Sequence, residues 1–345
     1  MARKLLWASL ALAPVTFVID FVVHPGDVAL FLLAALSLVP LAWLIGEATE
    51  HAAVHTGSRI GGFLNASFGN APELIIATFA IADNLPYVVR GSLAGSIFSN
   101  LLLVLGFALA LGPERQLDQR SLMTQLGLVA LAVALFLIPS IAGWSGNPDR
   151  HSLAVLTIPI SIVLLLVYVV MQIRQLRGQR PDHANEEAAE GWSLTASLAA
   201  LGLATAATAL ISEILVHSLD GFAHAAGLSE FFIATIIVAV VGNAAEHGGA
   251  VVIARRGKMK LATEIAVSSS AQVGLFVVPA IALISWAVRP ALPLAFRWEE
   301  IFAVALATVI VGVVVFDGRS RRWEGWALIG IYGAIAVWFG FAGGR

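Results

Sequence analysis

Eleven stretches of mostly apolar sequence, each near the ~20 residues a helix needs to cross a bilayer, constrain this chain more than any other feature. They run roughly over 5–23, 28–54, 60–82, 87–111, 121–143, 152–173, 193–216, 229–254, 261–288, 299–316 and 324–342. Turn-forming clusters cut them apart: His24-Pro25-Gly26, Gly112-Pro113, Gly146-Asn147-Pro148, Arg289-Pro290 and Asp317-Gly318. Composition excludes the soluble alternatives. Hydrophobic residues make up 59% of the chain and charged residues 12%, against roughly 45–50% and about 25% in soluble domains. A disordered chain would be poor in apolar residues, and a net charge of −2 carries no signature of a nucleic-acid binder. Zero cysteines exclude a disulfide scaffold, thiolate metal sites and cysteine catalysis. Arg3 and Lys4 before an apolar run imitate a secretory signal, but Leu5–Val23 is long enough to span and no small-residue cleavage site follows it.

Lysine and arginine gather on the cytoplasmic side of membrane proteins. With a cytoplasmic N-terminus, fifteen of the 20 basic residues fall inside; only Arg90, Arg150, Arg289, Arg297 and Arg345 fall outside. The bias alternates loop by loop, so the expected topology has the N-terminus in and the C-terminus out. The long polar break from Arg174 to Gly191 begins basic and ends acidic, with Asp182, Glu186, Glu187 and Glu190, and reads as a cytoplasmic linker.

The informative residues are the expensive ones. A charge near the bilayer centre costs at least ~2.5–3.5 kcal/mol, so it needs a partner or a purpose. Glu47 and Glu50 lie in the second span, Glu73 in the third, Glu213 in the seventh and Glu246 in the eighth. Two of them sit in near-identical words, Gly69-Asn70-Ala71-Pro72-Glu73 and Gly242-Asn243-Ala244-Ala245-Glu246, offset by 173 residues. Upstream, Ile45-Gly46-Glu47 matches Ile211-Ser212-Glu213; downstream, Ser96 to Asn100 matches Ser268 to Gln272, offset by 172. The expected fold is therefore an all-α integral membrane protein of eleven transmembrane helices. An extra first helix (1–25) precedes two five-helix repeats, 26–173 and 192–345, joined by the linker 174–191. An odd number of helices per repeat inverts the second copy, a plan known among secondary transporters.

Gly-Asn-Ala is poor helix sequence, and Pro72 lacks the N–H that would bond the Phe68 carbonyl. A carbonyl freed inside a membrane needs a helix, water or a cation. Beside it lie Asn70 and Glu73, with Asn243 and Glu246 in the second copy; serine hydroxyls, Asn100 and Gln272 complete an all-oxygen set. Oxygen-only ligands suit a hard cation such as calcium. Two facing carboxylates match a divalent charge, and when empty they cannot both stay ionised, so they take up protons. The site is neutral with two protons or with one divalent ion.

Plainer readings stand beside this one. An intramembrane glutamate can simply bond a neighbouring helix, most readily at Glu47, Glu50 and Glu213 near helix ends. Gly91, Gly95, Ser92, Ser96 and Ser99 suit a helix-packing surface, while Asp20 and Glu264 read as interfacial. His51 and His55, four apart, have a spacing that can hold zinc, although the metalloprotease order His-Glu-x-x-His is absent. His51 and His247 each follow a glutamate and read as residues that tune or relay protons.

The words GEATEH (46–51), LNASFGNAPELI (64–75), GSIFSNLLLVLG (95–106), VGNAAEH (241–247) and SSSAQVGLFVVP (268–279) closely resemble the calcium/cation-proton antiporters called CAX, of the wider calcium/cation antiporter superfamily. The acidic stretch 182–190 is similar to the one that joins the two halves in that family. The resemblance implies an antiporter, not an enzyme, in which Glu73 and Glu246 are shared calcium and proton ligands between the third and eighth helices. Asn70, Asn243, Ser96, Ser99, Ser269 and Gln272 would stand nearby, and Glu50 and Glu213 would line the access route. It implies no cofactor, with calcium and protons as cargo, no nucleic-acid partner, and a multi-pass protein of the cell's inner (plasma) membrane compatible with a homo-oligomer. Two alternatives remain: a sodium- or potassium-coupled cation exchanger, and an intramembrane zinc metalloenzyme built on His51 and His55.

Overall fold

The computed structural model describes residues 2–178 and 192–342. Asp182, Glu186, Glu187 and Glu190 of the expected linker lie outside the described residues, as does Arg345. Helix dominates throughout, because in an apolar solvent each segment must satisfy its own backbone polar groups. The first half contains α1 (Ala2–Ser9), α2 (Leu12–Val23), α3 (Asp27–Phe68), α4 (Ala71–Ala82), α5 (Pro86–Ser99), α6 (Leu105–Leu111), α7 (Gln119–Trp144) and α8 (His151–Gly178). The second contains α9 (Leu194–His217), α10 (Leu219–Ala226), α11 (Glu230–Phe232), α12 (Ala239–Gly242), α13 (Ala244–Arg255), α14 (Met259–Gln272), α15 (Val278–Val288), α16 (Trp298–Val315) and α17 (Arg322–Ala342). Three π-helical segments join neighbouring helices: Asn100–Val104 after α5, Ile233–Val238 after α11 and Val273–Val277 after α14.

Among the described residues, nine helices are long and apolar enough to cross a membrane, or ten if α10 and the bent segment Glu230–Gly242 form one span. Nine of them coincide with nine of the eleven stretches expected, and the bent pair overlaps the eighth, 229–254, only over 230–242. The stretch 60–82 differs: its first part continues α3 without a break in helical backbone, and its second is the 12-residue α4. Yet Phe68 packs with Leu44 on the cluster of Ile45, Ala48, Leu201 and Ala204. A straight helix would carry Phe68 about 30 Å from Ala48 at 1.5 Å per residue, so the path between them is not straight. The eighth stretch, 229–254, is likewise divided, at Asn243.

Side-chain caps start several helices. Asp118 accepts from the Ser121 N–H, Ser193 from Ala196 and Ser229 from Phe232, each satisfying a donor that the first turn leaves free. Gly227 ends α10 in the left-handed region, at φ 66°, which costs glycine little. The centre of the bundle is α5, buried from Val88 through Ser99. Gly95 lets it approach the segment Ile233–Val238 until a Cβ would overlap the Thr235 carbonyl, the close contact that small residues permit between membrane helices. Large apolar side chains such as Leu203, Val313 and Phe341 face outward, as a lipid solvent demands.

Contacts between helix ends sort into two groups. In one, the His55 ring bonds the Trp192 carbonyl, Trp7 packs on Trp192, Leu117 N–H bonds Gly318 O at 2.8 Å and Arg115 N–H bonds Ser320 Oγ at 2.7 Å. There the Arg319 N–H and Arg321 hold the Asp317 carboxyl below its usual range. In the other, Tyr87 bonds Glu230, Arg90 pairs with Asp149 at 2.7 Å, His217 lies 3.4 Å from Asp83 and Trp144 Nε1 donates to Phe296 O. The last turns of α17 join this second group, with the Trp338 ring 5.5 Å from that of Trp298. None of these contacts crosses between ends assigned to opposite sides by the positive-charge count.

Candidate functional site

The two helix breaks have one local form. Asn70 begins α4 at φ −98°, ψ 13°, and Asn243 begins α13 at φ −95°, ψ 9°; both helices have 12 residues. The second break forms without a proline. Gly-Asn therefore suffices, and Pro72 sits where a first-turn N–H needs no partner. Phe68 is the last residue of α3, so the helix ends before the proline acts on its carbonyl.

Each break asparagine binds the amide that closes a helix of the other half. Asn70 Nδ2 donates to Gln272 Oε1 at 3.1 Å, and Asn100 Nδ2 donates to Asn243 Oδ1 at 3.3 Å. Asn243 Nδ2 in turn donates to Ser96 Oγ at 2.7 Å and to the Ala239 carbonyl at 2.8 Å. Asn100 Nδ2 also reaches Ser269 Oγ at 3.0 Å, and that hydroxyl donates to the Glu246 carboxylate. Asn100 and Gln272, the amides offset by 172 in sequence, stand at the start of π-helical turns, Asn100 as the first residue of one and Gln272 immediately before the other. Such turns are frequent at functional sites because they re-aim side chains and free backbone groups.

Glu73 is buried, with Oε2 lacking a hydrogen-bond partner among the described residues. Its carboxylate lies beside Gly242, where a Cβ would come 3.8 Å from Glu73 Oε1, and within electrostatic reach of Glu246. Glu246 is half-buried. Asn100 Oδ1 is buried without a hydrogen-bond partner among the described residues. Two carboxylates, four amides and two hydroxyls thus converge from both halves, with acceptor oxygens left over. That donor set fits a hard cation, which takes oxygen ligands in flexible number.

The other residues singled out from the sequence are placed differently. Ser99 is buried, but its hydroxyl turns to the Ser96 carbonyl of its own helix at 3.3 Å. His247 is half-buried, with a buried Nε2 that has no hydrogen-bond partner among the described residues. Glu47 lies 3.5 Å from His51, whose ring stacks on Trp192. Glu50 and Glu213 are exposed at the protein surface. His55 Nε2 is taken by the carbonyl of the same Trp192 at 2.6 Å. Among the described residues no three histidine, aspartate or glutamate side chains gather as a metal cluster.

Sequence reasoning missed the π-helical turns, which have no residue signature of their own. It also missed a buried ionic group around Arg90 and Glu300. The adjacent pair Glu299-Glu300 at the start of a span was the available signal, since a span that opens on two carboxylates needs partners.

A bundle of membrane-length helices, with two like breaks meeting in a shared polar centre, has the architecture of an ion-transport protein. Residues 27–176, and again 196–341, match the sodium/calcium exchanger protein family, and the chain belongs to that family. It is 37% identical over 335 residues to the Ca(2+)/H(+) antiporter ChaA of Bacillus subtilis (strain 168), covering 93% of this chain and 95% of that protein. It is 35% identical over 341 residues to a Ca(2+)/H(+) antiporter of Aphanothece halophytica, covering 92% and 91%. The solved structure of native YfkE superimposes with a TM-score of 0.84 at 34% identity, over 99% of this chain and 100% of that one.

Proposed function

We propose that this protein exchanges calcium, or a closely related cation, for protons across a membrane by alternating access, and that Glu73 and Glu246 bind either cargo. The observation that carries the reading is the joining of two carboxylates, one from each like helix break, through a single network of amides and hydroxyls. A divalent ion neutralises both carboxylates; two protons do the same; the empty, doubly charged site is disfavoured in a medium where bare charges are costly. Only loaded forms then cross between access states, and that restriction is what couples the two fluxes. The names of its relatives, Ca(2+)/H(+) antiporters, support this cargo.

The two separate matches to one family, over 27–176 and 196–341, support the division into two repeats around a linker. The sorting of helix-end contacts supports inverted repeats with the N-terminus on the Trp192 face and the C-terminus on the other. Tags on the two termini should report opposite sides of the cell's inner membrane, the N-terminal one cytoplasmic; a shared side would overturn the inverted arrangement.

Exchange itself is tested in proteoliposomes. Glu73→Gln or Glu246→Gln should abolish calcium uptake driven by a pH gradient while leaving folded protein, and normal transport in either variant would remove that residue from the mechanism. Repeating the assay with sodium and potassium gradients addresses the rival coupling that the family's description brings forward.

A further inference from the structure

A second buried carboxylate lies away from the Glu73 and Glu246 centre. At the end of the bundle holding Tyr87 and Arg297 there is a cavity of about 640 Å³, lined among others by Tyr87, Arg90, Asp149, Glu230, Arg297 and Glu300. Glu300 is 1% exposed. Its Oε2 accepts the Arg297 N–H at 2.6 Å, closing the first turn of α16, but its Oε1 is buried with no hydrogen-bond partner among the described residues. That free oxygen points toward α5, where a Cβ on Gly91 would lie 3.7 Å from it. On its inner side Glu300 borders a void of about 10 Å³ walled by Ala94, Ile97, Val133 and Val304, at the lower limit for one water. One turn further along α5 lies Ser96, already bonded to Asn243, and the Ile97 carbonyl accepts from Ser270 at 3.1 Å.

The charges around it are nearly matched without it. Arg90 is paired with Asp149 at 2.7 Å, Arg297 lies 3.7 Å from Glu299, and Glu230 accepts from Tyr87. His224 of α10, which also lines the cavity, is 3.3 Å from Asp220. Among the described residues Glu300, like Glu230, has no cation at ion-pair distance, and Arg90 nearby has an Nε without a hydrogen-bond partner.

We propose that Glu300 is a second proton-binding station, set between this cavity and the Glu73 and Glu246 site. The inference rests on the exchange reading above and adds a route for one of its two cargoes. The ligand is a proton rather than calcium for reasons on the page. Calcium needs six to eight oxygens, whereas one carboxylate oxygen, an apolar void and a nearby guanidinium meet it here. A proton needs one oxygen, and bound to Oε1 it removes an uncompensated buried charge. The helix cap does not account for the residue, because it uses Oε2 alone.

Glu300→Gln keeps an acceptor for the Arg297 N–H but cannot titrate, whereas Glu300→Asp still can. In proteoliposomes with a trapped pH dye, Glu300→Gln should slow calcium-driven proton movement at least about tenfold, with Glu300→Asp retaining part of the rate. Calcium binding by the solubilised Glu300→Gln variant should stay within about twofold of native. Native rate and pH dependence in Glu300→Gln would overturn the proposal, and so would an equal loss in both variants or a parallel loss of calcium binding. If Glu300→Gln does not fold, the native chain decides. Dicyclohexylcarbodiimide, which attacks protonated buried carboxyl groups, should label Glu300 more at about pH 6 than at about pH 8.5, and no label at either pH would overturn the station. Active Glu73→Gln and Glu246→Gln variants would sink the exchange reading itself; inactive ones beside a native-like Glu300→Gln would sink only this station.

Discussion

Asn243 does more geometric work than either glutamate it stands between. Its amide accepts from Asn100 and donates to Ser96 and to the Ala239 carbonyl, so it ties the break in one half to the central helix of the other. Both asparagines are at most 1% exposed. Each net hydrogen bond contributes about 1 kcal/mol, and a buried group left unpaired costs about 1–3 kcal/mol. Asn243→Ala removes three bonds and strands the Ser96 hydroxyl and an Asn100 donor. Calcium affinity of the solubilised protein should fall about tenfold or more, since 1.4 kcal/mol is a factor of ten. An affinity within about twofold of native, measured by equilibrium calcium binding, would mean that the network supports packing and not the ion. The sequence marked Asn243 clearly, as the second residue of a duplicated word. It left Glu300 unremarked and counted Arg90 only as an outer-side charge, because a charge at a span boundary looks interfacial until its burial is known.

Among the elements, the broken helices separate what sequence carries from what packing decides. The words around Asn70 and Asn243 were legible as weak helix, and both helices do end there. Pro72 was read as a cause of the first break, yet Ala245 stands in its place in the second and the asparagine dihedrals agree within a few degrees. A proline in a first helical turn removes an N–H that has no partner there anyway. Pro72→Ala should therefore leave calcium affinity and transport within about twofold of native; a tenfold loss in either assay would restore the proline to a causal role. Less could be read of the path of α3. Helical backbone continues through 55–59, where a loop was expected, and Phe68 nevertheless packs on the cluster that holds Ile45, Ala48, Leu201 and Ala204. The π-helical turns that begin at Asn100 and just after Gln272 were illegible for a different reason. They arise from how α5 and α14 pack, and apolar words such as Leu101-Leu102-Leu103 fit an α or a π turn equally well.

At the scale of the whole molecule, both cargoes should meet at one place, and pH reports it. The amide pairs Asn70–Gln272 and Asn100–Asn243 each cross from one half to the other, so neither half alone builds the centre where Glu73 and Glu246 approach. An ion bound there replaces protons, because a cation favours the ionised form of its carboxylates and metal binding releases what they held. The sign follows directly. Lowering the pH loads the empty site with protons, and calcium must then displace them, so apparent calcium affinity falls as pH falls. If both carboxylates exchange their protons, affinity changes by up to ~100-fold per pH unit over the range in which the empty site titrates; if only one does, by ~10-fold. Calcium binding by the solubilised protein from about pH 5 to about pH 9 should show the steeper limb in the native chain and a shallower one in Glu73→Gln. His247, half-buried beside Glu246 with an unpartnered Nε2, should on replacement by alanine move the midpoint without abolishing binding, if its role is to tune that carboxylate. An affinity that does not change with pH would separate the two cargoes, and a calcium channel or uniporter would then account for this fold better than an exchanger.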